Sequence, residues 1–163
     1  MPRAEAFLRA GEQYLLADDP AAAVGGFRRA MMDGGPVFVD PRPQLARALF
    51  QLDHQAEAQA LISRLKTEGP KDPRVCDLVA ELLVERADLP GALWWATTGV
   101  EISLSRAAAR EGGQADNGQA GGESAPDQAD DESELRLLLS LRYRIRNDLG
   151  LAEDRYDHLL DEK

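Results

Sequence analysis

The sequence predicts an all-α protein built as stacked antiparallel helical hairpins, on three observations. A spacing of small and large residues recurs four times, Asp-Pro pairs and glycines mark helix ends at corresponding places, and no stretch carries a competing strand pattern. The spacing is clearest between Gly11 and Ala30. Counted from Ala23, Gly11 lies twelve positions upstream and Tyr14 nine, while Phe27 follows by four and Ala30 by seven. The same template fits Ala46, Leu49, Ala58, Ile62 and Leu65, then Ala80, Leu83, Ala92, Ala96 and Gly99, then Ser140, Tyr143, Ala152, Tyr156 and Leu159. The anchoring alanines are 35, 34 and 60 residues apart, so the last gap holds one period plus about 26 inserted residues. A fixed period in the low thirties is that of helical hairpins which each bury a face against the next.

Helix ends follow in order along the chain. Asp19-Pro20 opens the second helix of the first hairpin, and Asp40-Pro41 and Asp72-Pro73 open the first helices of the second and third. Asp caps free amides there, and Pro sits in the first turn, where no hydrogen bond is lost. Gly34-Gly35-Pro36 and Gly69-Pro70 stop the second helices, and Gly150 follows the last first helix. The predicted helices are 3–17, 20–33, 41–52, 54–68, 73–87, 90–110, 134–148 and 151–162. Val37-Phe38-Val39 is too short for a strand and lies between breakers.

Within each hairpin, Gly11, Ala46, Ala80 and Ser140 are expected to admit the partner helix closely, with Tyr14, Leu49, Leu83 and Tyr143 filling the space beside them. Gly25-Gly26 inside a helix costs about 1 kcal/mol per Gly relative to Ala, which marks that helix as the softest. Trp94-Trp95 is expected to make up for the missing bulk at Ala96 and Gly99.

These positions resemble the tetratricopeptide repeat, a helix-turn-helix with a large and a small residue on its first helix and Ala, an aromatic and Ala on its second. The resemblance is best in the first repeat, through Gly11, Tyr14, Ala23, Phe27, Ala30 and Pro36, and poorest in the third. It implies a right-handed α-solenoid, with three hairpins over 1–110, an insertion over 111–133 and a fourth hairpin over 134–163. It also implies a concave groove formed by the first helices, which binds a peptide or helix. Carried over position by position, the groove holds Leu8, Glu12 and Leu15; Arg47, Phe50 and Gln51; Asp77, Glu81 and Val84; and Leu137, Leu141 and Arg144. Phe50 is the expected apolar anchor. The Lys, Arg and Asn clamp that some members use on a C-terminal carboxylate has no counterpart, because Glu12, Gln44 and Glu81 stand at corresponding positions. Acids beside apolar pockets suit a basic or amphipathic partner.

Composition narrows the function further. At 163 residues the chain is long enough for a sizeable core, and its net charge of −10 argues against a nucleic-acid surface. No run of 18 apolar residues suggests a membrane span, and Met1-Pro2-Arg3-Ala4-Glu5 lacks the pattern of a signal peptide, so a cytoplasmic location is expected. The lone Cys76 agrees with a reducing compartment. Lys appears only at 66, 71 and 163 against many Arg, the bias of a high-GC, bacterial genome. His54 and His158 stand without HExxH or CxxC company, and neither GxxxxGK[ST] nor GxGxxG after a strand occurs. The sequence therefore implies no catalytic residue, metal or cofactor. The chain is expected to be a non-catalytic protein-binding module. The alternative is a small sensor domain that holds a small ligand in the concave pocket.

Residues 111–133 hold five Gly and seven acids with no base, which predicts a disordered tether dispensable for folding. Ser133 is expected to cap the last hairpin, and Arg136, Arg142, Arg144 and Arg146 are candidate acceptors for the acidic insertion. The final helix leaves Leu160 over, so the chain is expected to be a monomer at micromolar concentration, with a homodimer through the C-terminal hairpin as the other outcome.

Overall fold

The computed structural model of the chain describes residues 1–114 and 126–160. Among them every regular element is helical: α1 (Arg3–Leu16), α2 (Pro20–Asp33), α3 (Arg42–Gln51), α4 (Gln55–Glu68), α5 (Pro73–Glu85), α6 (Leu89–Gln114), α7 (Pro126–Asp148) and a 3-10 turn (Asp157–Leu160). The chain divides into two compact units, Met1–Gly69 and Pro70–Lys163.

The helix starts are capped as the Asp-Pro pairs predict. Asp19 Oδ1 accepts from Ala22 N–H at 3.0 Å, and Asp72 Oδ1 from Arg74 N–H at 3.0 Å. At Asp40-Pro41-Arg42 and Asp72-Pro73-Arg74 the arginine also folds its guanidinium back onto the capping carboxylate, at 2.6 and 2.8 Å. Arg42 reaches Glu68 as well, at 2.7 Å, and so ties the start of α3 to the end of α4.

The turns inside the hairpins repeat more faithfully than the side chains. Asp18, Asp53, Ala87 and Gly150 adopt left-handed conformations, with φ of 57°, 62°, 59° and 68°. The amide after each bonds back to a carbonyl five residues earlier: Asp19 to Tyr14 at 2.8 Å, His54 to Leu49 at 2.8 Å, Asp88 to Leu83 at 2.9 Å and Leu151 to Arg146 at 2.9 Å. This is the Schellman closure of a helix end.

In the first unit α1 and α2 cross at two glycines. A β-carbon on Gly26 would lie 2.8 Å from Gly11 Cα, and one on Gly11 would lie 2.6 Å from the ring of the fully buried Phe27. Gly26 therefore allows the contact that holds the hairpin, and only Gly25, with open space beside it, is a plain loss of helix propensity. Tyr14, expected in this interface, is 44% exposed, and it is the ring of Phe27 that lies over Gly11.

In the second unit Gly99 has the same role on α6. A β-carbon there would meet Cys76 Cβ and Leu138 Cδ2 at 2.9 Å, so the position is small to admit α5 and α7, and needs no replacement bulk. Trp95 is buried and packs edge-on against Trp94, ring centroids 5.1 Å apart.

The expected insertion and fourth hairpin are corrected. Residues 111–114 belong to α6 and 126–133 to α7, while 115–125 lie outside the described residues. Ser133 sits inside α7, where its hydroxyl donates to Ala129 O at 2.8 Å and caps nothing. Of the helix expected over 151–162, residues 151–160 do not form an α-helix: 149–156 are non-helical and lead into the 3-10 turn, and 161–162 lie outside the described residues.

The turn register gives the reason. The left-handed residue stands seven positions after the small residues Gly11, Ala46 and Ala80 and five before Ala23, Ala58 and Ala92, all of them buried. Around Gly150 those places are Tyr143 and Arg155. The side-chain match through Ser140 and Ala152 is three residues out of register with the turn, and both residues are exposed. With 41%-exposed Tyr143 at the crossing point, α7 offers no slot for a second helix.

A strap, 149–160, covers α6 and α7 instead. Arg142, 3% exposed, places Nη1 3.0 Å from both Asp154 Oδ1 and Asp157 Oδ1, and Nε 3.0 Å from Thr97 Oγ1. Arg146 bonds Asp157 Oδ2 at 3.2 Å and the carbonyl of Ala152. Tyr156 lies under the Arg142 guanidinium at 4.8 Å, and its hydroxyl donates to Glu101 Oε1 at 3.0 Å. Leu159 and Leu160 pack against Val100, Leu138 and Leu139, so Leu160 is not left over. Arg142 and Arg146 serve the strap.

Gly26→Ala is expected to destabilise the chain by about 1–3 kcal/mol, the usual cost of overpacking, while Gly25→Ala stabilises it by about 0.5–1 kcal/mol. Urea unfolding of the two variants checks this, and equal effects would remove the close-crossing explanation.

Candidate functional site

The groove residues expected from sequence divide between the two units. In the first unit Leu8 is 1% exposed and is core. Its face of α1 is shared with Glu5, whose carboxylate accepts from Phe38 N–H at 2.8 Å and Arg9 Nε at 2.9 Å, and the Phe38 bond brings the connection after α2 onto that face. Those bonds hold the Glu5 carboxyl below its usual range. One turn beyond Leu8, Glu12 is half-buried, and its pKa is raised by burial and then by Glu5. Leu15, Arg47 and Phe50 are half-buried and Gln51 is exposed. Half-burial of Phe50 leaves only part of its ring for a partner. Depressions around Phe38 and around Phe7 on this unit are open to solvent.

In the second unit the expected residues fall on α5 and α7, which pack together. Leu141 is buried and belongs to the core, because it follows the same α7 face as Leu138 and Ile145. The others lie at the surface: Asp77 and Val84 half-buried, Glu81 and Arg144 exposed, Leu137 59% exposed. Asp77 and Glu81 are one turn apart on α5, like charges on one stripe.

Sequence reasoning missed Glu134, half-buried on α7 near both of them. Its spacing of three from Leu137 was the available signal, hidden by its assignment to a helix start. Among the described residues Asp77, Glu81 and Glu134 make no hydrogen bond or ion pair, and Glu134 Oε1 is a buried oxygen without a partner.

The electrostatics follow from that arrangement. Burial, then Glu81 and Glu134, pushes the Asp77 carboxyl up to about 7. Burial also raises Glu134, with Asp72, Asp131 and Glu81 adding to it and Arg74 opposing. Arg74 is itself engaged by Asp72 at 2.8 Å. The nearby Cys76 thiol is buried and pushed up to about 12, which keeps it protonated and unreactive.

Charge is distributed unevenly between the units. The first holds eight basic and nine acidic residues, the second eleven and twenty. Among the described residues no three of His, Cys, Asp and Glu converge to hold a metal ion, and no helix is long and apolar enough to cross a membrane.

Comparison of the chain with models of protein families, with curated proteins and with solved structures finds no match. The α5/α7 face thus stands on its own geometry: half-buried, under-neutralised carboxylates beside exposed leucine.

A carboxyl with a raised folded-state pKa keeps its proton in the folded chain after the unfolded chain has lost it. Asp77 therefore makes stability fall as pH rises from its ordinary 3.8 towards about 7. Asp77→Asn removes this loss. Its melting temperature is expected to exceed that of the wild type at pH 8, by more than at pH 5; an equal difference at both pH values would contradict the assignment.

Proposed function

We propose that the chain is a degenerate array of the tetratricopeptide kind, a right-handed α-solenoid that acts without catalysis as a cytoplasmic binding module for a basic, amphipathic helical segment. The recurrence of one turn geometry at Asp18, Asp53 and Ala87, 35 and 34 residues apart, supports the repeat reading. The observation that carries the function is the cluster of Asp77, Glu81 and Glu134 beside Leu137. Burial raises the Asp77 and Glu134 carboxyls, exposed Glu81 adds like charge beside them, and the one cation that acts on Glu134, Arg74, is already held by Asp72; a Lys or Arg from a partner would offset the remaining negative charge. Leu137, 59% exposed, with half-buried Val84 offers the apolar strip on which the other face of such a helix would lie.

Binding is then linked to a proton. A partner cation favours ionised Asp77, so affinity is expected to rise from pH 6 to pH 8 as that carboxyl no longer has to be deprotonated on binding.

Fluorescence anisotropy with a Lys/Leu amphipathic peptide, and with the same peptide carrying Glu for Lys, tests the reading. The Lys peptide is expected to bind and the Glu peptide not. The triple variant Asp77→Asn, Glu81→Gln, Glu134→Gln should weaken binding at least about tenfold, equivalent to about 1.4 kcal/mol. Equal binding of the two peptides, or no effect of the triple variant, would overturn it.

A further inference from the structure

The end face of α6 and α7 beneath the strap has unusually strict chemical demands. Arg142 is 3% exposed, and a guanidinium so deeply buried is tolerated only when its charge is compensated and its donors are used. Thr97 takes one donor from α6, and the compensating charge comes from the strap through Asp154 and Asp157. The strap is ordered by the same groups, since Asp157 Oδ2 accepts from Asp154 N–H at 2.9 Å and Asp154 Oδ1 from Tyr156 N–H at 3.0 Å. Tyr156 lies between the two acids against the guanidinium, and Leu159 and Leu160 follow onto Val100, Leu138 and Leu139.

A segment that fills this face must therefore carry two carboxylates three residues apart, an aromatic residue between them and an apolar pair just beyond. The strap meets that description, and so does the strap of a second copy. Its connection to α7 suits transfer: Gly150 takes φ 68°, which glycine adopts without strain, and Leu151, Ala152 and Glu153 are exposed.

We propose that the α6/α7 end face is an acceptor for an acidic strap, and that two copies of the chain exchange straps across it to form a dimer. The contacts of Asp154, Tyr156, Asp157, Leu159 and Leu160 with α6 and α7 are reproduced in the exchanged pair, so the two states differ chiefly in the connection over 149–153. Closure within one chain wins at micromolar concentration, because the tethered strap has an effective concentration in the millimolar range.

Two full-length variants, each broken on one side, remove that advantage. Arg142→Met disables the acceptor and leaves the strap intact; Asp154→Asn with Asp157→Asn disables the strap and leaves the acceptor intact. Each alone is expected to be cut rapidly by trypsin at Arg155. Mixed at about 50 µM, well below the effective concentration of closure, they are expected to form a 1:1 heterodimer in native mass spectrometry with the intact strap protected. A mixture that stays monomeric, with both straps cut as fast as in isolation, would overturn the proposal.

The wild-type chain supplies a second arm that does not depend on variant folding. A labelled peptide of residues 149–160, offered at millimolar concentration, should enter the face and render the chain's own strap cleavable at Arg155. The same peptide with Asn for both acids should not. Failure of the acidic peptide to enter, or equal uptake of the two, would refute the acceptor site.

Discussion

Two helices approach only as closely as the residues at their crossing permit, and each unit is organised around one crossing reduced to glycine. At Gly11 and Gly26 there is no side chain on either helix, so backbone meets backbone and the ring of Phe27 closes over the gap. At Gly99 one missing β-carbon admits neighbours from two sides, Cys76 of α5 and Leu138 of α7. Close-packed interiors tolerate little error in volume, so these positions set where the larger side chains can go. Phe27 fills the space over Gly11 and Tyr14 lies at the surface, while Leu49 and Leu83 at the matching positions are buried.

The helices were legible because their ends are written in local chemistry. The Asp-Pro pairs, the stopping glycines and the 35- and 34-residue spacing act within a few residues or along one helix face. The fourth hairpin was misread because composition offered a small residue and an aromatic at the required spacing, three positions away from the register that the backbone adopts. Gly150 was recognised as a helix stop, yet its alignment with Asp18, Asp53 and Ala87 depends on φ, which the residue type alone does not reveal at an Asp or an Ala.

The candidate site was half legible for a related reason. Asp77, Glu81 and Leu137 were reachable by counting along helix faces, and they lie at the surface. Leu8 and Leu141 were not, since their burial depends on what packs over them: in one case the α1 face that Glu5 shares with Phe38, in the other a turn of α7 committed to the core. Pairing of Arg142 and Arg146 with Asp154 and Asp157 was likewise beyond reach, because the strap was read as a helix that would have pointed those acids elsewhere. Acidity is concentrated in the second unit, yet there the buried Arg142 takes its carboxylates from the strap, while the cation that acts on Glu134, Arg74, is shared with Asp72.

The dependence of Arg142 on residues 154 and 157 also bears on how the protein is made. Domains tend to fold as units in the order they are synthesised. The first unit has all its residues once position 69 has left the ribosome, including Glu68, which Arg42 reaches. The second unit cannot close in the same way: when α7 emerges its central arginine has no counter-charge, and the acids that neutralise it are translated 12 and 15 residues later. Until then a nascent α7 docked on α6 would hold an uncompensated cation, so completion of this half is deferred to the last stretch of the described chain.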